Sequence, residues 1–152
     1  SMSSFNAWVM LKSLETLNMR VERMAESALT LAKHFEGRAG IKAVHYPYLP
    51  SHKHHALAKA QMSGGGTTVA IEFDAPQAKV FAMMNALQVI DISNNLGDSK
   101  SLITHPASTT HRRLSPEVQA DMGITPSTVR VSVGLEAVAD LIRDLENACD
   151  SL

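Results

Sequence analysis

Apolar residues recur at three- and four-residue steps through the first quarter of the chain. Val21, Met24, Ala28, Leu31 and Phe35 form one stripe, and Trp8, Leu11 and Leu14 form an earlier one. That period predicts helix from about Phe5 to Phe35. Ser3 or Ser4 is placed to cap it, Asn18 marks a bend between two helical pieces, and Gly37 and Gly40 stop it. The pattern then changes. Ile41 to Tyr46 reads as a short strand, Pro47 and Pro50 make the next stretch irregular, and His54 to Met62 reads as a short helix capped by Ser51. Gly64-Gly65-Gly66 breaks that helix. From Thr67 to Phe73 the residues alternate, with Val69, Ile71 and Phe73 on one face and Thr68, Ala70 and Glu72 on the other: a half-buried strand. Pro76 opens a helix whose apolar face is Val80, Phe81, Met84 and Leu87, and Val89 to Ile92 reads as a strand. Ser115-Pro116-Glu117 starts a short helix that Gly123 ends. Thr128 to Val133 is a strand, and Glu136 to Ala148 a helix with Val138, Leu141, Ile142, Leu145 and Cys149 turned inward. Strands separated by helices on so short a chain predict a single α/β (α+β) domain over residues 1–152. Its architecture is a two-layer sandwich, a small sheet with helices on one face. Residues 94–111, NNLGDSKSLITHPASTTH, read as a polar loop.

Composition narrows the function classes. At 152 residues, 45% hydrophobic and 19% charged, the chain is long and apolar enough to bury one core. A formal net charge of −1 gives no electrostatic case for nucleic acid or an anionic membrane as partner. Cys149 is the one cysteine, so no internal disulfide forms, which fits a reducing compartment. No apolar run reaches the length of a membrane span, and the N-terminal residues lack the basic lead of a signal peptide. The expected location is cytoplasmic.

Candidate chemistry is sparse. Arg130 lies mid-strand in Thr128-Val129-Arg130-Val131-Ser132-Val133, opposite the face of the three valines. A guanidinium there either meets water or clamps a carboxylate with its planar fork. His105 and His111 lack the carboxylate or thiol companions of a zinc site. Ser51-His52-Lys53-His54-His55 are consecutive, so they do not converge on a metal either. The triple glycine precedes a strand and no Lys-Ser or Lys-Thr follows it, which argues a turn over a phosphate cradle. The methionines read as core filler, and no G-x-S-x-G elbow occurs.

Several segments together resemble one family. They are Phe5-Asn6-Ala7-Trp8 with Leu14-Glu15-Thr16-Leu17, Tyr46-Pro47 through Leu49-Pro50-Ser51-His52, Leu96-Gly97-Asp98 with Ser101-Leu102, His105-Pro106-Ala107-Ser108 with Thr110-His111, and Val129-Arg130-Val131-Ser132-Val133-Gly134-Leu135-Glu136. Their order is that of the C-terminal part of the pyridoxal-phosphate (PLP) enzymes of cysteine and methionine metabolism, the transsulfuration enzymes. The Asn94-Asn95-Leu96-Gly97 variant, with FNAW early in the chain, looks most like the O-succinylhomoserine sulfhydrylase subgroup.

The resemblance implies a fold: the C-terminal small domain of an aspartate-aminotransferase-type (fold type I) PLP enzyme. It implies roles as well. Arg130 falls on the arginine that binds the substrate α-carboxylate, and Asn95 on a serine that helps bind it. Thr110 falls on a threonine lining the substrate pocket, and Asn94 on a neighbouring position that influences substrate choice. The activity implied is γ-replacement on a homoserine ester in methionine biosynthesis, in a homo-oligomer. The family's PLP-bearing lysine lies in an S-x-T-K context that Lys12, Lys33, Lys42, Lys53, Lys59, Lys79 and Lys100 all lack. No catalytic, cofactor or metal residue is therefore expected in this chain, and alone it is expected to be inactive. Residues 1–36 would pack on the PLP-binding domain, and without it would expose Phe5, Trp8 and Val9 and favour self-association. A stand-alone amino-acid-binding module and a simple oligomerisation module remain open alternatives.

Overall fold

The computed structural model describes residues 2–150 and 152. The first helical stretch is two helices, α1 (Ser4–Glu15) and α2 (Leu17–Phe35). Ser3 caps α1 by accepting the Asn6 N–H. The break falls at Thr16, whose ψ of 8° is non-helical, and not at Asn18 as the sequence predicts. Arg20 reaches back over it to the Ser13 carbonyl at 2.7 Å. The stripe on α2 is buried at Met24, Ala28, Leu31 and Phe35, whereas Val21 remains exposed. On α1 no residue is buried; Phe5, Trp8, Leu11 and Leu14 are all exposed.

The remaining elements are β1 (Ile41–His45), α3 (His55–Gln61), β2 (Thr68–Phe73), α4 (Gln77–Ala86), β3 (Asp91–Ile92), β4 (Leu102–Thr104), a 3-10 turn (Pro106–Ser108), α5 (Pro116–Asp121), β5 (Thr128–Ser132) and α6 (Val138–Cys149). The five strands among the described residues form one sheet in the order β1-β2-β5-β4-β3. All neighbours are antiparallel except β3 and β4. Helices α2, α4 and α6 pack together on one face, as the alternation predicts. Val69, Ile71 and Phe73 of β2 and Val129, Val131 and Val133 at β5 meet Leu31, Val80, Met83, Leu141 and Leu145 there. Each such side chain contributes about 1.5–3 kcal/mol by leaving water.

Four local expectations are corrected. Ser51 does not cap α3; His54 holds that position without a side-chain bond, and the Ser51 hydroxyl donates to Glu36. On α4 the inward residue is Met83, while Phe81 is displaced to the rim, its ring edge-on to His105 with 4.9 Å between centroids. The strand expected over Val89–Ile92 shrinks to the exposed pair Asp91–Ile92, because the Asp144 carboxylate takes the N–H groups of Gln88, Val89 and Ile90. The polar loop is the largest departure. Its middle, Ser101 to Pro106, is buried and supplies β4, a strand beside the central β5.

Candidate functional site

The face of the sheet away from α2, α4 and α6 carries Arg130. Its strand partners are Ala70 on β2 and Thr104 on β4. Ala70 and Arg130 line a groove of about 820 Å³ bounded by His45, His52, His111 and the end of α5. The guanidinium is anchored from one side: Nη2 donates to the Asn94 carbonyl at 2.8 Å and the Asn95 carbonyl at 3.1 Å. Nε is buried and has no partner among the described residues. Burial lowers the guanidinium's pKa from its ordinary value. A half-buried cation with a donor left over is a candidate to meet an anion from the groove.

Two motifs of the sequence interlock to hold the carbonyls that hold Arg130. The Ser132 hydroxyl accepts the Gly97 N–H at 2.9 Å. Ser101 donates its N–H and its hydroxyl to Glu136 at 2.7 and 2.8 Å, and its oxygen accepts the Gly134 N–H at 2.8 Å. The Leu135 N–H donates to the Ser99 carbonyl at 2.8 Å. The stretch after β5 thus clasps residues 97–101 and sets the height of Asn94 and Asn95 over Arg130. Gly134 is required because a Cβ there would lie 2.4 Å from the Ser99 carbonyl oxygen. Ser101, Ser132 and Glu136 stand in the family motifs with no role implied for them; their co-occurrence with Gly97 and Gly134 is the signal the sequence carries.

Of the expected site residues, Arg130, Asn94 and Asn95 come together, but the asparagines meet Arg130 through backbone carbonyls. Both asparagine residues are exposed. The Asn94 side-chain oxygen accepts from the Thr104 hydroxyl at 2.8 Å. Thr110 is not in the Arg130 groove. It is exposed beside His111, and shares a separate cleft with Asn94.

His105 is structural. Its Nε2 lies 2.9 Å from the Pro126 carbonyl, which only accepts, so Nε2 carries the proton. Nδ1 then accepts from Ser108, whose hydroxyl is 2.8 Å away. Both ring nitrogens are engaged. The triple glycine is structural too. Tyr46 is fully buried, its hydroxyl donates to the Gly66 carbonyl at 2.8 Å, and a Cβ on Gly65 would meet its ring at 2.5 Å. Among the described residues no group of three or more His, Cys, Asp or Glu side chains is disposed to hold a metal ion. No helix among them is long and apolar enough to cross a membrane.

Two lysines, Lys42 and Lys53, line the Arg130 groove. A lysine that bonds an aldehyde needs a lowered pKa. Lys42, which lines the Arg130 groove, is instead raised by its 2.8 Å hydrogen bond to Glu72. Lys53, also in the groove, is exposed. Lys12 pairs with Glu15 and Lys100 with Asp91, and Lys59 lies over the Tyr48 ring. What the described residues offer is a groove with one anchored arginine on its wall.

The family model for Cys/Met metabolism PLP-dependent enzymes matches residues 1–150. O-succinylhomoserine sulfhydrylase of Mycobacterium tuberculosis is 51% identical over 152 residues, covering 97% of this chain and 37% of that protein. Among solved structures, an O-acetylhomoserine (thiol)-lyase of Campylobacter jejuni, carrying N'-pyridoxyl-lysine-5'-monophosphate, superposes with a TM-score of 0.92 at 39% identity. That match covers 99% of this chain and 36% of the other. Cystathionine γ-synthase of Xanthomonas oryzae in complex with cystathionine gives a TM-score of 0.92 at 34% identity, over 99% of this chain and 39% of the other. The chain spans little more than a third of the length of these relatives. The small mixed sheet with helices on one face is the fold these fold type I PLP enzymes share with it. By sequence and by fold, the chain belongs to the Cys/Met-metabolism PLP-dependent enzyme family.

Proposed function

We propose that this chain is the C-terminal, substrate-binding part of a cytoplasmic PLP-dependent transsulfuration enzyme that exchanges the γ-substituent of a homoserine ester for a sulfur nucleophile. The reaction is that of an O-succinylhomoserine sulfhydrylase. One observation carries the reading. Arg130 lines the groove with its Nη2 anchored by two carbonyls and its Nε without a partner, a cation whose donors are not all spent and which suits an α-carboxylate. PLP, when bound elsewhere in the complete enzyme, supplies the electron sink for chemistry at the amino acid's carbons. This chain's residues do the rest of the positioning. Arg130 fixes the carboxylate, the 97–101 clasp fixes Arg130, and the loop bearing Asn94 and Asn95 lies against the bound amino acid. The apolar surface of α1, around Phe5, Trp8 and Val9, would be covered by the PLP-binding domain or by another subunit.

Two measurements test the proposal. The 152-residue chain is incubated with PLP, reduced with borohydride and weighed by mass spectrometry. No stoichiometric adduct is expected, and one adduct on a single lysine overturns the division of labour. In the complete enzyme Arg130→Ala should lower kcat/KM for the homoserine ester by about 10²-fold or more, since a charge-assisted contact is lost. A loss under about threefold removes Arg130 from substrate binding.

A further inference from the structure

Asn94 faces two ways. Its carbonyl accepts from Arg130, and its side chain lines a second cleft of about 530 Å³ with Ser108, Thr109, Thr110, Arg112 and Arg113. We propose that this cleft is a second anion subsite, taking the distal carboxylate of a dicarboxylic half-ester whose α-carboxylate sits on Arg130. This rests on the transsulfuration reading above.

The charge pattern is the first argument. Among the described residues the other arginines all have partners. Arg23, Arg38 and Arg143 pair with Glu26, Glu146 and Asp140, and Arg20 and Arg130 donate to carbonyls. Arg112 and Arg113 are adjacent, exposed and without an acidic partner, and no Asp or Glu lines their cleft. Two neighbouring cations repel each other, and an anion between them relieves that cost. Rigidity is the second argument. The turn that displays them is tied by the His111 N–H to the Pro106 carbonyl at 2.9 Å. Gln119 Nε2 reaches the Ala107 and His111 carbonyls at 3.2 and 2.9 Å. The third is donor chemistry. With its oxygen taken by Thr104, Asn94 has its amide N–H groups left to offer. Guanidinium forks with an amide donor and no carboxylate suit a carboxylate and give a neutral acyl end nothing to bind.

The test compares O-succinyl-, O-acetyl- and O-phospho-L-homoserine as substrates of the complete enzyme, wild type against Arg112→Gln/Arg113→Gln. Both arginines are exposed, and matched thermal unfolding of the two proteins confirms the fold. The expected result is a ~10- to 100-fold fall in kcat/KM for the succinyl ester, carried by KM, with the acetyl ester changed less than about threefold. Equal falls for both esters, or no change for either, overturn the subsite alone. A wild-type preference for the phospho ester that the double variant loses overturns the dicarboxylate assignment. A wild-type enzyme that turns over none of the three refutes the transsulfuration reading, and the subsite with it.

Discussion

Asp144 offers the sharpest test of the packing. It lies on the buried face of α6, 6% exposed, where an apolar residue would be expected. Its Oδ1 accepts the Gln88 N–H at 2.8 Å, and its Oδ2 accepts those of Val89 and Ile90, each at 3.0 Å. Three consecutive backbone donors thus end on one carboxylate. They fix the turn that carries the chain from α4 to the sheet edge. Asp144→Ala leaves all three without that acceptor in a largely dry site. Unsatisfied donors cost about 1–3 kcal/mol each; with water reaching the more exposed Gln88 and Val89, the total is about 3–5 kcal/mol. For a chain of this size that lowers the Tm by roughly 6–20 °C. Asp144→Asn keeps one acceptor oxygen and should cost about half as much. Thermal unfolding by circular dichroism measures the ordering wild type, Asn, Ala. Amide hydrogen exchange at residues 88–90 should accelerate in both variants ahead of the amides of β5. An Ala variant within about 1 kcal/mol of wild type, or an Asn variant as unstable as Ala, refutes the reasoning.

Two further outcomes follow from the structure. Gly134→Ala puts a Cβ 2.4 Å from the Ser99 oxygen and 2.5 Å from the Lys100 carbonyl carbon, both backbone. Forcing them apart should cost about 1–3 kcal/mol in urea unfolding and loosen the Asn94–Asn95 loop over Arg130, and a variant as stable as wild type would show that the clasp is not tight. The Cys149 thiol is pushed up to about 11 by burial. A thiol raised in this way stays protonated below that pH, so at pH 8 its alkylation should be ~100-fold slower than that of an ordinary cysteine and should rise with pH beyond 9. A rate at pH 8 matching a free thiol contradicts the burial.

Much of the fold was legible because its signals are local. The alternation of Val69, Ile71 and Phe73 can only present one face to a core, and the three-four stripe from Met24 to Phe35 can only bury one side of a helix. β4 was hidden because three residues between polar neighbours show no period. Leu102-Ile103-Thr104 is a strand because β5 offers it a ladder on one edge. The site was half legible. Arg130's position on the polar face of its strand followed from alternation, but alternation by itself favoured a carboxylate no more than water.

The sequence alone determined the class: where the helices and the two central strands lie, which side of β5 is apolar, and which family the motifs resemble. Those properties depend on residues close in the chain. What tertiary structure decided depends on groups far apart. It placed the Asn94 and Asn95 carbonyls, not their side chains, on Arg130. It spent Ser101 and Glu136 on a clasp across more than thirty residues. It also buried Asp144 against a turn fifty-odd residues earlier. Backbone carbonyls and N–H groups are the same in every residue, so no pattern of side chains announces which of them a buried charge will find; only the packing of α6 and β5 against the rest brings them within reach.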